Sequence, residues 1–237
     1  MSNAPSPHVG LFSTCLADTF RPQIVQAALD LLEKTGCRLG MPRGQSCCGF
    51  TAETSGEADS AKDMASDALA RFAEYDVVVA ISHTCARSLE AAAAGNSAPR
   101  IYSLTQFLWD HYRPERPFGA YHGRLAYLAT SHRPTLFGSD TPGRHLLASL
   151  EGVELMDFPD IGSDPANAKA LLSDKKQING LARRIHRSGA GLFVAEDLGM
   201  LMSLSGPLKA LGSGVELRHI AEVLAGRIKS APIGVGG

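Results

Sequence analysis

The sequence of 237 residues has no cysteine after residue 85. A disulfide, a catalytic cysteine or a thiolate metal site is therefore excluded from the second half of the chain. The five cysteines stand at positions 15, 37, 47, 48 and 85. Any sulfur chemistry belongs to this first part of the chain, and the odd number of cysteines argues against a disulfide framework.

Long apolar runs, an excess of charge of one sign and a dinucleotide-binding glycine motif are also missing. No apolar run approaches the roughly 20 residues of a membrane-spanning helix. The formal net charge of −1 gives no indication of a nucleic-acid or anionic membrane partner. No G-x-G-x-x-G follows a predicted strand, so flavin or nicotinamide would come from another protein. The N-terminal MSNAPSPHVG lacks the regions of a signal peptide, and we expect a cytoplasmic protein with reduced thiols.

Strand-like and helix-like segments alternate along the first half. Short runs rich in β-formers predict strands at residues 8–14, 37–41, 76–81 and near 101. Amphipathic spacing predicts helices at residues 22–35, 57–75, 86–94 and 104–112. The alternation predicts an α/β fold with a parallel, Rossmann-like sheet.

The pattern starts again after RPERPFG (113–119), which is typical of a linker. Cys15 and Ile101 are 86 residues apart, and Ser131 and Leu217, which match them, are separated by the same 86 residues. Three segments match in the same order: GLFSTC with AYLATS, LGMP with MDFP, and IYSLTQFL with LRHIAEVL. We therefore predict two pseudo-repeated halves, residues 1–117 with the cysteines and residues 118–237 without them.

Four of the cysteines follow predicted strands. Cys15 follows the first strand, Cys47 and Cys48 lie after the second, and Cys85 comes after the strand at 76–81. The carboxyl ends of parallel strands meet at one edge of a sheet, where ligands of α/β proteins bind. We expect these four thiols to converge there. Cys37 begins a strand and should face the opposite edge or the core.

A set of thiolates from three loops is typical of an iron–sulfur cluster or another metal site. Cys47 and Cys48 are adjacent, so they cannot easily chelate one metal, but they can reach different irons of one cluster. Gly49 would let the backbone approach the inorganic sulfides closely. Structural zinc is less favoured, because it usually takes local C-x-x-C pairs.

The order Cys15, Cys47-Cys48-Gly49 and Cys85, within a duplicated chain, resembles the cysteine-rich CCG domain family. The likeness is strongest to the lactate utilization protein A group, and it spans nearly the whole sequence. It is carried by FSTCLADTF (12–20), GQSCCGF (44–50), SHTCARS (82–88) and HIAEVLAGR (219–227). The resemblance implies an iron–sulfur electron-transfer subunit, with a 4Fe–4S cluster on Cys15, Cys47, Cys48 and Cys85. It also implies partner subunits that oxidise L-lactate or another 2-hydroxy acid.

The second half departs from the family pattern, which expects a second set of cysteines. Ser131 stands at the place of the lone cysteine, and PDIGSDPAN (159–167) replaces the second CCG segment. AEDLGMLMS (195–203) replaces the last cysteine element, with Asp197 and Met200 at C-x-x-C spacing. Any cluster must therefore depend on the cysteines of the first half.

Two other functions remain open. One is a thiol–disulfide redox protein in which Cys47 or Cys48 attacks a disulfide, which requires a thiol of low pKa and no iron. The other is a scaffold subunit that has lost its cofactor. Among single residues, Arg87 could bind a substrate carboxylate bidentately or be a solvated helix residue. His83 and His132 could belong to the site or be ordinary loop or core histidines.

Overall fold

The computed structural model describes residues 6–94, 99–111, 118–129, 141–156 and 174–235. The chain divides into two compact units, Met1–Arg113 and Pro114–Gly237. Each unit contains a four-stranded parallel sheet. The boundary that we place after residue 117 remains a prediction, because residues 112–117 are not among those described.

The first unit alternates strands and helices, as its sequence predicts. Its strands are β1 (His8–Phe12), β2 (Arg38–Gly40), β3 (Val77–Ala80) and β4 (Arg100–Ser103), in the sheet order β2-β1-β3-β4. Its helices are α1 (Cys15–Phe20), α2 (Pro22–Glu33), α3 (Phe50–Thr54), α4 (Ala58–Ala70), α5 (His83–Ala93) and α6 (Leu104–His111). The two shortest helices, α1 and α3, are absent from the predictions because they are too short to show a helical period.

The buried central strands determine the register of this sheet. Every residue of β3 is buried, and β1 pairs with it from Val9 opposite Val77 to Phe12 opposite Ala80. Their carboxyl ends are therefore level with each other at one edge of the sheet. The chain leaves β1 and β3 at that edge and continues into α1 and α5.

Helix α4 is shorter than its periodicity predicts. It ends at Ala70, and residues 71–74 form a turn before β3. Ala65, Ala68 and Leu69 are buried as expected, but Met64 is 36% exposed and does not join the core. After the turn, Phe72 covers β1 so closely that a Cβ atom on Gly10 would lie 2.6 Å from the Phe72 ring.

The second unit has the same topology. Its strands are β5 (Ala120–Leu128), β6 (Glu151–Met156), β7 (Leu192–Ala195) and β8 (Glu216–His219), in the sheet order β6-β5-β7-β8. Its described helices are α7 (Pro142–Ala148), α8 (Lys175–Arg187), α9 (Leu198–Ala210) and α10 (Ile220–Leu224). Within the described residues, no helix combines the length and the apolar character needed to cross a membrane.

The repeat inferred from the sequence is confirmed by the strand orders. In the three matched segments, the strand residues that the structure describes belong to β1 and β5, to β2 and β6 (of MDFP, Met156 alone), and to β4 and β8, which hold equivalent places in the two sheets. The predicted α/β fold with two pseudo-repeated parallel-sheet halves is therefore the fold of this chain.

Candidate functional site

The four cysteines lie where strands of the first sheet give way to helices. Cys15 is the first residue of α1, and two residues, Ser13 and Thr14, separate it from the end of β1 at Phe12. Cys47 and Cys48 end the loop after β2, directly before Gly49 and α3. Cys85 lies in the first turn of α5, just after β3. The structure thus brings all four to the predicted edge, each beside the N-terminal end of a helix.

Their sulfur atoms form one connected group. The Sγ atoms of Cys48 and Cys85 are 3.0 Å apart, and those of Cys15 and Cys47 are 3.9 Å apart. The side chains of Cys47 and Cys48 also interact, which links the two pairs. Cys15 and Cys47 are 32 positions apart in sequence, and Cys48 and Cys85 are 37 apart, so these short distances arise only from the tertiary fold.

The group runs from solvent into the hydrophobic core. Cys15 is exposed and Cys47 is half-buried, whereas Cys48 and Cys85 are 3% and 7% exposed. Cys48 and Cys85 pack in one apolar cluster with residues such as Phe72. One end of the group therefore faces water, and the other is shielded from it.

Cys37 stands outside this group. It is half-buried after α2, and its Sγ donates to the Leu32 carbonyl oxygen at 3.7 Å. It therefore lies apart from the other four cysteines, as its place at the start of the predicted strand indicates.

Backbone amides at the helix starts are directed at three of the sulfurs. The N–H groups of Leu16 and Cys15 lower the pKa of the Cys15 thiol, that of Gly49 acts on Cys47, and that of Phe50 acts on Cys48. These amides begin α1 and α3, where unsatisfied donors and the helix dipole favour negative charge. These backbone donors therefore favour negative charge on the three sulfurs.

The mutual contacts of the thiols act in the opposite direction and prevail. Burial and the neighbouring Cys47 raise the pKa of Cys15, and the hydrogen bond with Cys48 together with burial raises the pKa of Cys47. At Cys48 the hydrogen bond with Cys47 lowers the pKa, but the contact with Cys85 and burial raise it well above the usual range. Without a bound cation, these three groups are thus held as neutral thiols.

Gln45, which is not among the predicted site residues, holds the loop of Cys47 and Cys48 against the end of β1. Its Nε2 donates to the Leu11 carbonyl at 2.9 Å and to the Pro42 carbonyl at 3.2 Å. Its Oε1 accepts from the Ser13 backbone N–H at 2.9 Å. A side-chain amide donates and accepts at once, so it can pair both an N–H and a carbonyl group at the end of a strand. The sequence signal for this role is a Gln two residues before the CC pair.

The backbone is constrained on both sides of the cysteines. Thr14, directly before Cys15, has φ of 32°, a conformation that is unfavourable for a β-branched residue and costs about 1–3 kcal/mol. The Thr14 Oγ1 accepts a hydrogen bond from the Ala17 N–H at 3.4 Å and so caps the N-terminus of α1. Gly49 has φ of 83°, and a Cβ atom there would collide with the Ala61 carbonyl of α4. The glycine is therefore required by close helix packing, a reason independent of any cofactor.

Arg87 is engaged by a carboxylate of the protein itself. Its two terminal nitrogens each donate to one oxygen of Glu53 at 3.1 Å, and its guanidinium lies 5.9 Å from the centre of the Phe50 ring. The pair joins α3, which follows Cys48, to α5, which contains Cys85. The fork that could bind a substrate carboxylate is thus occupied, and Arg87 supports the site.

The four cysteines supply the type of donor that iron–sulfur clusters use. In the part of the chain that the structure describes, no group of three or more His, Cys, Asp or Glu side chains surrounds a point suitable for a metal ion. The four cysteines from three loops, with amides directed at their sulfurs, match the thiolate ligands and the anionic character of such clusters.

The equivalent edge of the second unit carries oxygen and nitrogen groups. The Tyr127 hydroxyl donates to Oε1 of the buried Glu196, and Nε2 of the buried His219 hydrogen-bonds the Glu196 carbonyl at 2.7 Å. His219 begins α10, with Glu222 completing a capping box. These groups satisfy one another, as expected for a structural network. The expectations for Ser131, His132 and residues 159–167 fall outside the described residues.

Comparisons with known proteins give matches for the cysteine-containing segment and for the whole chain. The model of the CCG cysteine-rich domain matches residues 9–90, which include all the cysteines. The lactate utilization protein A of Geobacillus kaustophilus (strain HTA426) is 31% identical over 236 residues, covering 92% of this chain and 99% of that protein. That of Geobacillus sp. (strain WCH70) is 30% identical over 237 residues, with the same coverage.

Among solved structures, a hypothetical protein from Helicobacter pylori has the same fold. It superimposes with a TM-score of 0.66 at 13% sequence identity. The match covers 96% of this chain and 50% of that one, so it supports the architecture and nothing about activity.

Proposed function

Because this chain belongs to the lactate utilization protein A family, we propose that it is an iron–sulfur electron-transfer subunit of a system that oxidises L-lactate or another 2-hydroxy acid. The observation that carries the proposal is the connected group of four sulfur atoms at one edge of the first sheet. The cytoplasmic location expected from the sequence remains part of this proposal.

Cys15, Cys47, Cys48 and Cys85 would hold the cluster, which we expect to be of the 4Fe–4S type. When bound, the cluster supplies a store for single electrons at a potential set by its surroundings. Bound iron would offset the burial and the thiol contacts that raise the pKa values of Cys15, Cys47 and Cys48, so that the sulfurs bind as thiolates. Adjacent Cys47 and Cys48 would then bind different irons.

The protein side chains and backbone would tune this centre. The amides of Leu16, Gly49 and Phe50 donate to the sulfurs and stabilise negative charge there. Because Cys48 and Cys85 are buried, water would be excluded from their side of the cluster. Cys15 is exposed, so electrons would enter or leave on its side, through contact with another subunit of the oxidation system.

The test is a count of iron and acid-labile sulfide after anaerobic purification, with visible absorbance and with EPR spectra of the dithionite-reduced protein. We expect about four irons and four sulfides per chain. Cys48→Ser should lose them, and Cys37→Ser, the matched control from outside the group, should keep them. Metal-free wild-type protein that resists reconstitution, with five thiols open to titration, would disprove the proposal.

The thiol–disulfide alternative has one observation in its favour and one against it. The 3.0 Å contact between Cys48 and Cys85 is suitable for a redox pair. The raised pKa values of Cys15, Cys47 and Cys48 oppose a nucleophilic thiolate at neutral pH. Rapid alkylation of a single thiol at pH 7 in iron-free, active protein would favour this alternative.

A further inference from the structure

Cys48 and Cys85 form a contact that the electron-transfer role does not use. Their sulfur atoms are 3.0 Å apart in the core of the first unit. We infer that this pair is a specific oxidation site: in cluster-free protein, a hydroperoxide converts Cys48 and Cys85 to a disulfide. Only the connection with the cluster depends on the proposed function, since the disulfide itself requires no iron.

The geometry favours a disulfide between Cys48 and Cys85 over one in the other two contacting pairs, Cys15–Cys47 and Cys47–Cys48. A disulfide needs the sulfurs about 2.05 Å apart, so Cys48 and Cys85 must approach by about 1 Å. Cys15 and Cys47 start from 3.9 Å and must move about twice as far. Adjacent cysteines such as Cys47 and Cys48 bridge only by straining the peptide bond between them.

A small oxidant can reach the pair although both thiols are buried. A cavity of about 210 Å³ lies against Cys48, and its other lining residues include Gly49, Ala61, Lys62 and Ser88. A water molecule occupies roughly 30 Å³ of liquid, so this space admits hydrogen peroxide. The cavity is too small for a protein oxidant to enter.

The reaction balances with hydrogen peroxide as the oxidant. As the Cys48 thiol gives up its proton to water, its sulfur attacks one peroxide oxygen, the O–O bond breaks, and a sulfenic acid and one water are formed; because the pKa of Cys48 is raised, this step is slow. The Cys85 sulfur then attacks the Cys48 sulfur, and the S–O bond breaks as the S–S bond forms, releasing a second water. Two thiols lose two electrons to the peroxide, and the thiol protons leave in the two waters.

The disulfide would have two consequences. It withdraws two of the four sulfurs, so a cluster cannot be rebuilt until a reducing thiol has opened the bond. It also keeps Cys48 from the irreversible sulfinic and sulfonic states, since the nearby Cys85 traps the sulfenic acid first. Loss of the cluster under oxidative stress would thus be repairable.

Tryptic peptides distinguish the three pairings in full-length protein. Residues 44–62 contain Cys47 and Cys48, residues 72–87 contain Cys85, and residues 1–34 contain Cys15, because trypsin does not cleave between Arg21 and Pro22. The protein, treated with a chelator and then with one equivalent of hydrogen peroxide, is alkylated, digested without reduction and analysed by mass spectrometry. Circular dichroism before digestion verifies that it remains folded.

The expected result is a crosslink between peptides 44–62 and 72–87 that disappears on reduction. It should persist in Cys47→Ser and be lost in Cys48→Ser, which assigns the bond to Cys48. A dominant crosslink between peptides 1–34 and 44–62, a bridge within peptide 44–62, or sulfinic acid at Cys48 in wild-type protein would overturn the inference.

The wild-type peptide map decides the question even if a variant fails to fold. The outcome is also separable from the proposed function. Protein that never contains iron but forms the crosslink would refute the cluster and keep the oxidation site. Protein that contains iron and yields no crosslink after chelation would refute the oxidation site alone.

Discussion

Gln45 and Ser13 are joined across the carboxyl edge of the first sheet by a 2.9 Å hydrogen bond from the Ser13 N–H to Oε1 of Gln45. The Gln45 amide also donates to the Leu11 carbonyl, so one side chain completes the hydrogen bonding of β1 where β2 has ended. The loop that carries Cys47 and Cys48 is thereby held beside Cys15, which follows β1.

Replacing Gln45 by Ala should destabilise the first unit and reduce its iron content. The change leaves strand-end groups without partners, at a cost of about 1–3 kcal/mol. Urea unfolding followed by the fluorescence of the single tryptophan, Trp109 in α6 of the first unit, measures the loss. Gln26→Ala is the matched control, because the exposed Gln26 amide donates, among the described residues, to the half-buried Asp30 side chain and to no strand end. Equal effects of the two substitutions would contradict the bridging role.

Gly49→Ala should be more harmful than Gly44→Ala, although both glycines have positive φ. At Gly44, with φ of 69°, a Cβ atom would meet nothing within 4 Å. We expect Gly44→Ala to cost about 1–2 kcal/mol from backbone strain alone. Gly49→Ala adds the collision with the Ala61 carbonyl and should cost about 3 kcal/mol or more. Similar losses of the free energy of unfolding would show that helix α4 yields to the added methyl group.

The Arg87–Glu53 pair should contribute little to stability despite its bidentate geometry. The two side chains are 24% and 40% exposed, so water and salt screen their attraction. A double-mutant cycle with Arg87→Met and Glu53→Gln should give a coupling free energy of about 0.5–1 kcal/mol that decreases at 1 M salt. The more exposed Arg124–Glu154 pair is the control, with a coupling nearer zero. A coupling at Arg87 that did not change with salt would indicate a shielded pair.

The second unit should lose stability as the pH falls below about 6.5, the usual pKa of histidine. Burial lowers the pKa of His219, while Glu222, Glu196 and Asp197 raise it in part, and the net shift is downward. Between the folded and unfolded pKa values, the unfolded chain binds more protons, so lower pH favours unfolding.

Hydrogen exchange of β7 and β8 measures this effect. Protection should decrease from pH 7 to pH 5.5, and less so in His219→Asn, because Asn can still accept the Ala221 N–H but does not titrate. Above pH 7, hydrogen-exchange protection should change with pH in the same way in the wild-type protein and in His219→Asn. An equal decrease in both proteins would assign the effect to other groups.

Much of the fold follows from local patterns. Alternating apolar runs and amphipathic segments predict the parallel sheets, and the matched segments predict the repeat that the strand orders confirm. The convergence of Cys15, Cys47, Cys48 and Cys85 was also predictable. The carboxyl ends of parallel strands must share one edge, so residues that follow those strands meet there.

The details of the site depend on contacts that no local pattern contains. The sequence by itself determined which cysteines meet, because strand direction and strand ends are local properties. Only the tertiary structure decided that Cys48 lies against Cys85 and Cys15 against Cys47, that Gln45 completes β1, and that Arg87 is held by Glu53. Each of these contacts joins residues more than 30 positions apart through loops and helix ends. Their conformation is set by the packing of the whole unit, which hydrophobic periodicity does not record.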